Sequence, residues 1–169
     1  MFKRISSLVA LALVAVVALP AVVSAHVVVS PNEVGVGKRQ VFSVGVPNES
    51  DTAQVVNVRL VIPDGLESVR PNVKPGWTIE VKKSGEGEEA KVTEIIWSGG
   101  SVPVDQRDEF VFQGKAPAKT SELNWKAYET YSDGKVVAWD QEPKGDGHSE
   151  GTKPYSVTRV IDDFVMEAN

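Results

Sequence analysis

Past residue 39 the chain alternates apolar and polar positions in short runs. In "QVFSVGV", Phe42, Val44 and Val46 share one face, with Val41, Ser43 and Gly45 on the other. "VVNVRLVI" sets Val56, Val58, Leu60 and Ile62 together, opposite Asn57 and Arg59, and "EFVFQGKA" puts Phe110 and Phe112 on a common side. A period of two in segments rich in β-branched and aromatic residues predicts half-buried strands. "WTIEVKK", "VTEIIW", "LNWKAYETY" and "KVVAW" read the same way. Past the N-terminal segment, no long window keeps a helical period without meeting Pro or Gly.

Turn formers stand between these runs, at Pro31-Asn32, Pro47-Asn48, Pro63-Asp64-Gly65, Pro75-Gly76, Gly99-Gly100, Ala116-Pro117 and Ser132-Asp133-Gly134. "YETYSDGKVVAW" carries the strongest local signal, an Asp-Gly between two aromatic-apolar runs, and predicts a tight hairpin. "QEPKGDGHSEGTK", residues 141–153, is polar and Gly-rich and reads as a mobile surface loop before a last strand at 155–161. Short alternating strands at this spacing predict an all-β fold, an antiparallel β-sandwich with one face of each sheet buried. There is no internal repeat and no linker that would divide it.

The N-terminus follows another pattern. Lys3 and Arg4 precede an uncharged apolar run to Leu19, then Pro20 and the small-residue ending Val23-Ser24-Ala25. These are the parts of a secretory signal, which assigns residues 1–25 to a signal peptide and 26–169 to a single domain. The apolar run is near spanning length, so an uncleaved anchor is the competing reading; Pro20 and the small residues before His26 favour cleavage. The expected address is exported: extracellular, cell envelope or periplasmic. No second spanning run follows, so no membrane span is expected in the mature chain.

The chain has 18 Lys+Arg against 23 Asp+Glu, a net charge of −5, and processing would remove only Lys3 and Arg4 among the charged residues. An acidic surface disfavours nucleic acid and anionic lipid as partners and suits a cation. The chain has no cysteine, which excludes disulfides and every thiolate-based zinc, iron–sulfur or blue-copper site.

Cleavage after Ala25 would give His26 a free α-amine. That amine and the imidazole Nδ1 could close a six-membered chelate on one metal ion, whereas an internal histidine lacks the second donor. Imidazole suits Cu(II), Ni(II) and Zn(II), and Cu(II) has the highest intrinsic affinity of the three. The α-amine, with an ordinary pKa of about 7.7–8.0, holds its proton weakly enough for a metal to compete. The plainer reading of His26 is an inert residue beside a processing point. A third ligand, preferably an anionic oxygen, has candidates in Glu33, Glu49, Asp51 and the acids of the late loop. Each reads equally well as a solvated carboxylate. His148, the other histidine, lies between glycines, and ordering such a loop costs conformational entropy. Met166 could offer a lone thioether. The acids Glu86, Glu88 and Glu89 read as a solvated charged turn. No nucleophile–base pair and no phosphate-cradling glycine motif stands out.

An ordered set of segments then resembles a known family. "AHVVVSPNE", "VPNES" (46–50), "PGWTIEVKK" (75–83), "IIWSGG" (95–100), "DEFVFQGKAP" (108–117) and "WKAYETYSDGKVVAW" (125–139) are similar to the YcnI-like copper-binding domain of bacterial cell-envelope proteins. The resemblance covers nearly the whole mature chain and implies an Ig/cupredoxin-like sandwich. It implies Cu(II) bound by a monohistidine brace on His26, with Glu49 of "VPNE" as the carboxylate ligand and Trp139 of "GKVVAW" close to the metal. An indole has no lone pair for coordination, so Trp139 is expected to shield the ion or make a cation–π contact. Trp77, Trp97 and Trp125 are expected in the core.

The expected function is a secreted Cu(II) chaperone or homeostasis factor, not an enzyme, with a membrane copper transporter as the partner the resemblance implies. Two other classes compete. A copper-dependent oxidase or oxygenase would turn over with a reductant and oxygen or peroxide. A metal-free Ig-like adhesion or scaffold module would leave its tryptophan fluorescence unchanged on Cu(II) addition.

Overall fold

Burial follows the alternation. Phe42, Val44 and Val46 on one strand and Phe110 and Phe112 on its partner have no exposed surface, while Val41 between the turns of the pattern is exposed. In the computed structural model, which describes residues 26–144 and 152–162, twelve strands form in chain order. They are β1 (Val28–Ser30), β2 (Glu33–Gly35), β3 (Arg39–Pro47), β4 (Val55–Val61), β5 (Glu67–Pro71) and β6 (Thr78–Ser84). After a short 3-10 turn at Gly87–Glu89 come β7 (Lys91–Val102), β8 (Arg107–Lys115), β9 (Ser121–Trp125), β10 (Ala127–Tyr131), β11 (Val136–Trp139) and β12 (Ser156–Ile161).

The strands make three sheets, in the orders β1-β3-β8-β5, β11-β10-β4-β7-β6 and β2-β12-β9. The first two bury their apolar faces against each other, with the Trp97 and Phe110 rings 5.2 Å apart across the interface. Trp125 of the third sheet closes the layer against Phe42 (5.2 Å) and Phe112 (5.6 Å). The fold is the expected all-β sandwich. One departure is a parallel pair, β12 with β2, in register Arg159↔Glu33 to Ile161↔Gly35.

Local deviations have local causes. A bulge between Val55 and Asn57 turns Val55 inward and leaves Val56, expected on the core face, only half-buried. "LNWKAYETY" is two strands, not one: β9 joins the small sheet and β10 the five-stranded one, with Lys126 at the corner. The hairpin β10–β11 forms as expected, but with a three-residue loop. Tyr131 N–H donates to the Lys135 carbonyl, and Gly134 takes φ +88, the left-handed conformation such a loop needs. Trp77 is half-buried, edge-on to Phe110 at 4.9 Å, and its ring lies where a Cβ on Gly100 would have to stand.

The order of the sheets fixes what can become a site. β1 and β11 are edge strands of the two facing sheets, and Val27, just before β1, is buried. The start of β1 and the end of β11 therefore come together at one corner of the sandwich, where His26 and Trp139 are in contact.

Candidate metal centre

His26 is half-buried, one residue before the buried Val27. β1 is tied to β3 in register Val28↔Gly45 and to the third sheet by Val29 N–H donating to Ser156 Oγ at 3.0 Å. Carried two residues further, that register sets His26 opposite Pro47, the residue that ends β3. On its outer side His26 borders an open groove of about 640 Å³ shared with Val28, Pro47 and Arg107. Arg107 can lie there because Gly45 has no side chain; a Cβ would meet the guanidinium at 2.6 Å.

Two residues past Pro47 stands Glu49, in a turn held by its neighbour Asn48. Asn48 is buried; its amide donates to the carbonyls of Ala53 (2.9 Å) and Val102 (3.0 Å), and its oxygen accepts from Ser50 N–H at 2.8 Å. Its own N–H donates to the Gln106 carbonyl. A buried amide with every group used gives Glu49 a fixed base.

The three residues named by the resemblance are linked through ring and charge contacts. The His26 imidazole meets the Trp139 indole edge-on, centroids 5.4 Å apart. Over the Trp139 ring, 4.2 Å from its centroid, stands Lys153 Nζ, and the same ammonium is 2.6 Å from Glu49 Oε2. Lys153 is positioned by Gln141, whose backbone N–H donates to the Lys153 carbonyl and whose side-chain oxygen accepts the Lys153 N–H. Of the other acids considered as ligands, Glu33 is ion-paired with Arg159 on the adjoining strand of its own sheet, and Asp51 is exposed beyond the Asn48 turn. His148, Met166, the signal segment and most of the late loop lie outside the described residues.

Trp139 is buried. Its polar partner is Glu129, which sequence reasoning missed. Glu129 has no exposed surface, and its Oε2 accepts the Trp139 indole N–H at 2.8 Å. Oε1 is buried and has no hydrogen-bond partner among the described residues. Burial pushes the Glu129 pKa up to about 7; the Trp139 hydrogen bond and the Lys153 charge oppose this, and the Glu49 charge adds to it. Tyr131, next on the same face, is pushed up to about 12 by burial and by the charge of Glu129, against a hydrogen bond from the Glu49 backbone. The signal for Glu129 was in the alternation. Ala127, Glu129 and Tyr131 share the buried phase of β10, which puts a carboxylate where an apolar residue belongs.

Among the described residues no three His, Asp or Glu side chains form a ready-made metal cluster. A freed His26 α-amine would add a nitrogen donor beside the imidazole at this corner. Two observations suit a cation here: a carboxylate and an indole face already hold an ammonium between them, and a buried carboxylate behind them lacks full compensation.

Comparison with known proteins agrees with this architecture. Residues 26–160 match the family described as "Domain of unknown function (DUF1775)". Copper-binding protein CutI of Bacillus subtilis (strain 168) is 30% identical over 141 residues, which cover 81% of this chain and 63% of that protein. This chain thus aligns with under two thirds of that relative's length. A Nocardia farcinica protein with an immunoglobulin-like fold is 28% identical, covers 80% of this chain and 97% of its own, and superimposes with a TM-score of 0.68. A cohesin module from a Clostridium perfringens family 33 glycoside hydrolase has a TM-score of 0.51 at 16% identity, covering 80% of this chain and 96% of its own; it shares the fold alone. With the family matched from His26 to Val160 and the sandwich shared throughout, this chain belongs to the DUF1775, YcnI-like family.

Proposed function

We propose that this chain is an exported copper-binding protein, processed after Ala25, that holds Cu(II) for transfer and performs no turnover of its own. The observation that carries the reading is the corner where three separate parts of the chain meet: His26 packs on Trp139, and Trp139 and Glu49 share one seated cation. A relative called a copper-binding protein gives the metal. In this reading the α-amine and Nδ1 of His26 supply two nitrogens to the ion. Glu49 supplies an anionic oxygen from a turn that Asn48 keeps rigid. The indole of Trp139, locked by its hydrogen bond to Glu129, walls off one side without binding the ion.

Such a site is half-open. His26 faces a groove, and Glu49 retains about a quarter of its side-chain exposure, so a second protein could reach the ion. This suits exchange with a membrane copper transporter, the partner we assign to it, better than retention for catalysis. The test is a Cu(II) titration of the processed chain followed by electron paramagnetic resonance and tryptophan fluorescence. Stoichiometric binding with nitrogen hyperfine structure and quenching of Trp139 is expected. Glu49→Ala should weaken binding with folding intact, because a rim carboxylate supports no core. A flat titration in the wild type rejects the copper reading.

A further inference from the structure

Lys153 needs an explanation that copper binding does not give. Its ammonium sits on Glu49 Oε2, one of the two oxygens the proposed site would draw on, and over the Trp139 indole beside it. A divalent ion cannot share that position with a fixed positive charge, since like charges in a partly buried site repel strongly. Yet the lysine is not a stray surface group. Its side chain is about two-thirds buried, and both backbone polar groups of the residue are bonded to Gln141, two residues beyond Trp139. The fold thus delivers a cation to this corner with some care.

We infer that Lys153 is an internal placeholder for the metal: its ammonium neutralises Glu49 in the metal-free chain, is displaced when Cu(II) binds, and returns to eject it. The inference rests on the copper reading and adds a regulatory part to it. The backbone of Lys153 stays tied to Gln141, so displacement requires only rotation of the long side chain. Before binding, the ammonium offsets the Glu49 charge, which lies close enough to act on the buried Glu129. During release, an ammonium held within reach acts at high effective concentration as a competitor for Glu49. Affinity falls and exchange quickens, as a carrier that must give up its ion requires.

The experiment uses chain expressed with its own N-terminal segment, recovered from the exported fraction, with its start at His26 verified by mass. Wild type, Lys153→Met and Lys153→Arg are titrated with Cu(II), and release to EDTA is timed. Lys153→Met keeps a long unbranched side chain and removes the charge over Trp139. It should bind roughly three- to fivefold more tightly, the scale of a partly exposed ion pair, and release more slowly. Lys153→Arg should behave like wild type. In a Glu49→Gln background the Lys153→Met substitution should change affinity little, because the contested oxygen is no longer charged. Equal or weaker binding by Lys153→Met, with wild type binding normally, overturns the placeholder and leaves the copper site standing. Absence of binding in all variants overturns both.

Discussion

Glu94 and Glu129 belong to one sheet and meet opposite fates. Glu94, on the outer face of β7, holds Arg59 at 2.8 Å and Lys82 at 3.0 Å. Burial pushes its pKa up, but hydrogen bonds and charges from Lys82 and Arg59 outweigh that and leave it below the ordinary carboxylate value. Arg59 continues the array over the Tyr128 ring at 3.9 Å, and Tyr128 O–H donates to Asp140. Glu129 follows Tyr128 in sequence but points inward. It meets an indole N–H in place of two cations, and its pKa rises to about 7. Glu94 Oε2 also lacks a well-aligned hydrogen bond, but the Lys82 ammonium stands 3.0 Å from it, and a carboxylate matched in charge this way reads as structure. A buried one with an uncompensated oxygen, next to a seated cation, marks the place where the fold has accepted a cost.

Three changes test that contrast. The largest concerns pH. The Glu129 carboxyl is raised from 4.5 to about 7, so between those values the folded chain keeps a proton that the unfolded chain has lost. Stability from this group is therefore full below the ordinary pKa and drains away as pH rises through about 7. Relative to Glu129→Gln, which keeps an acceptor for Trp139 but cannot ionise, the wild type should lose up to about 3 kcal/mol between pH 5 and 8. Parallel denaturation curves at the two pH values measure it, and an equal shift in both proteins refutes it.

Trp139→Phe comes next. It keeps much of the ring but leaves Glu129 without a donor, at a cost of about 2 kcal/mol at pH 7 by urea denaturation. The cost should shrink in Glu129→Gln, whose neutral side chain is cheaper to leave unpaired. The smallest effect belongs to the other member of the comparison. Glu94→Gln should cost about 1 kcal/mol or less at neutral pH, since its partners are partly exposed. That loss should vanish on acidification, because a carboxyl with a lowered pKa stabilises only while ionised.

Much of the fold was legible because burial and strand period coincide. Phe42, Val44 and Val46 opposite Phe110 and Phe112 were fixed by alternation alone. What alternation cannot give is pairing. Nothing local says that β12 runs parallel to β2, or that β9 and β10 part at Lys126, because both follow from which sheet has room for a strand. The bulge at Val55 likewise shifts the phase by one residue and inverts the fate of Val56. Of the site, His26 was singled out by the chemistry of a chain start, while Glu49 and Trp139 came from family likeness. Their meeting depends on β1 and β11 being edge strands of facing sheets, a fact of topology. Lys153 was hidden in a loop read as solvent. Glu129 was in plain view on the buried phase of β10, and a carboxylate in that phase was the one signal available and unused.

In the proposed function, processing makes the site by giving His26 an α-amine beside its imidazole. The direct measurement is Cu(II) affinity and the electron paramagnetic resonance spectrum of two proteins, one beginning at His26 and one carrying a single extra residue before it. A large loss of affinity and a changed nitrogen pattern are expected in the extended protein, with both equally folded. Equal affinity and identical spectra in the two would contradict that proposal.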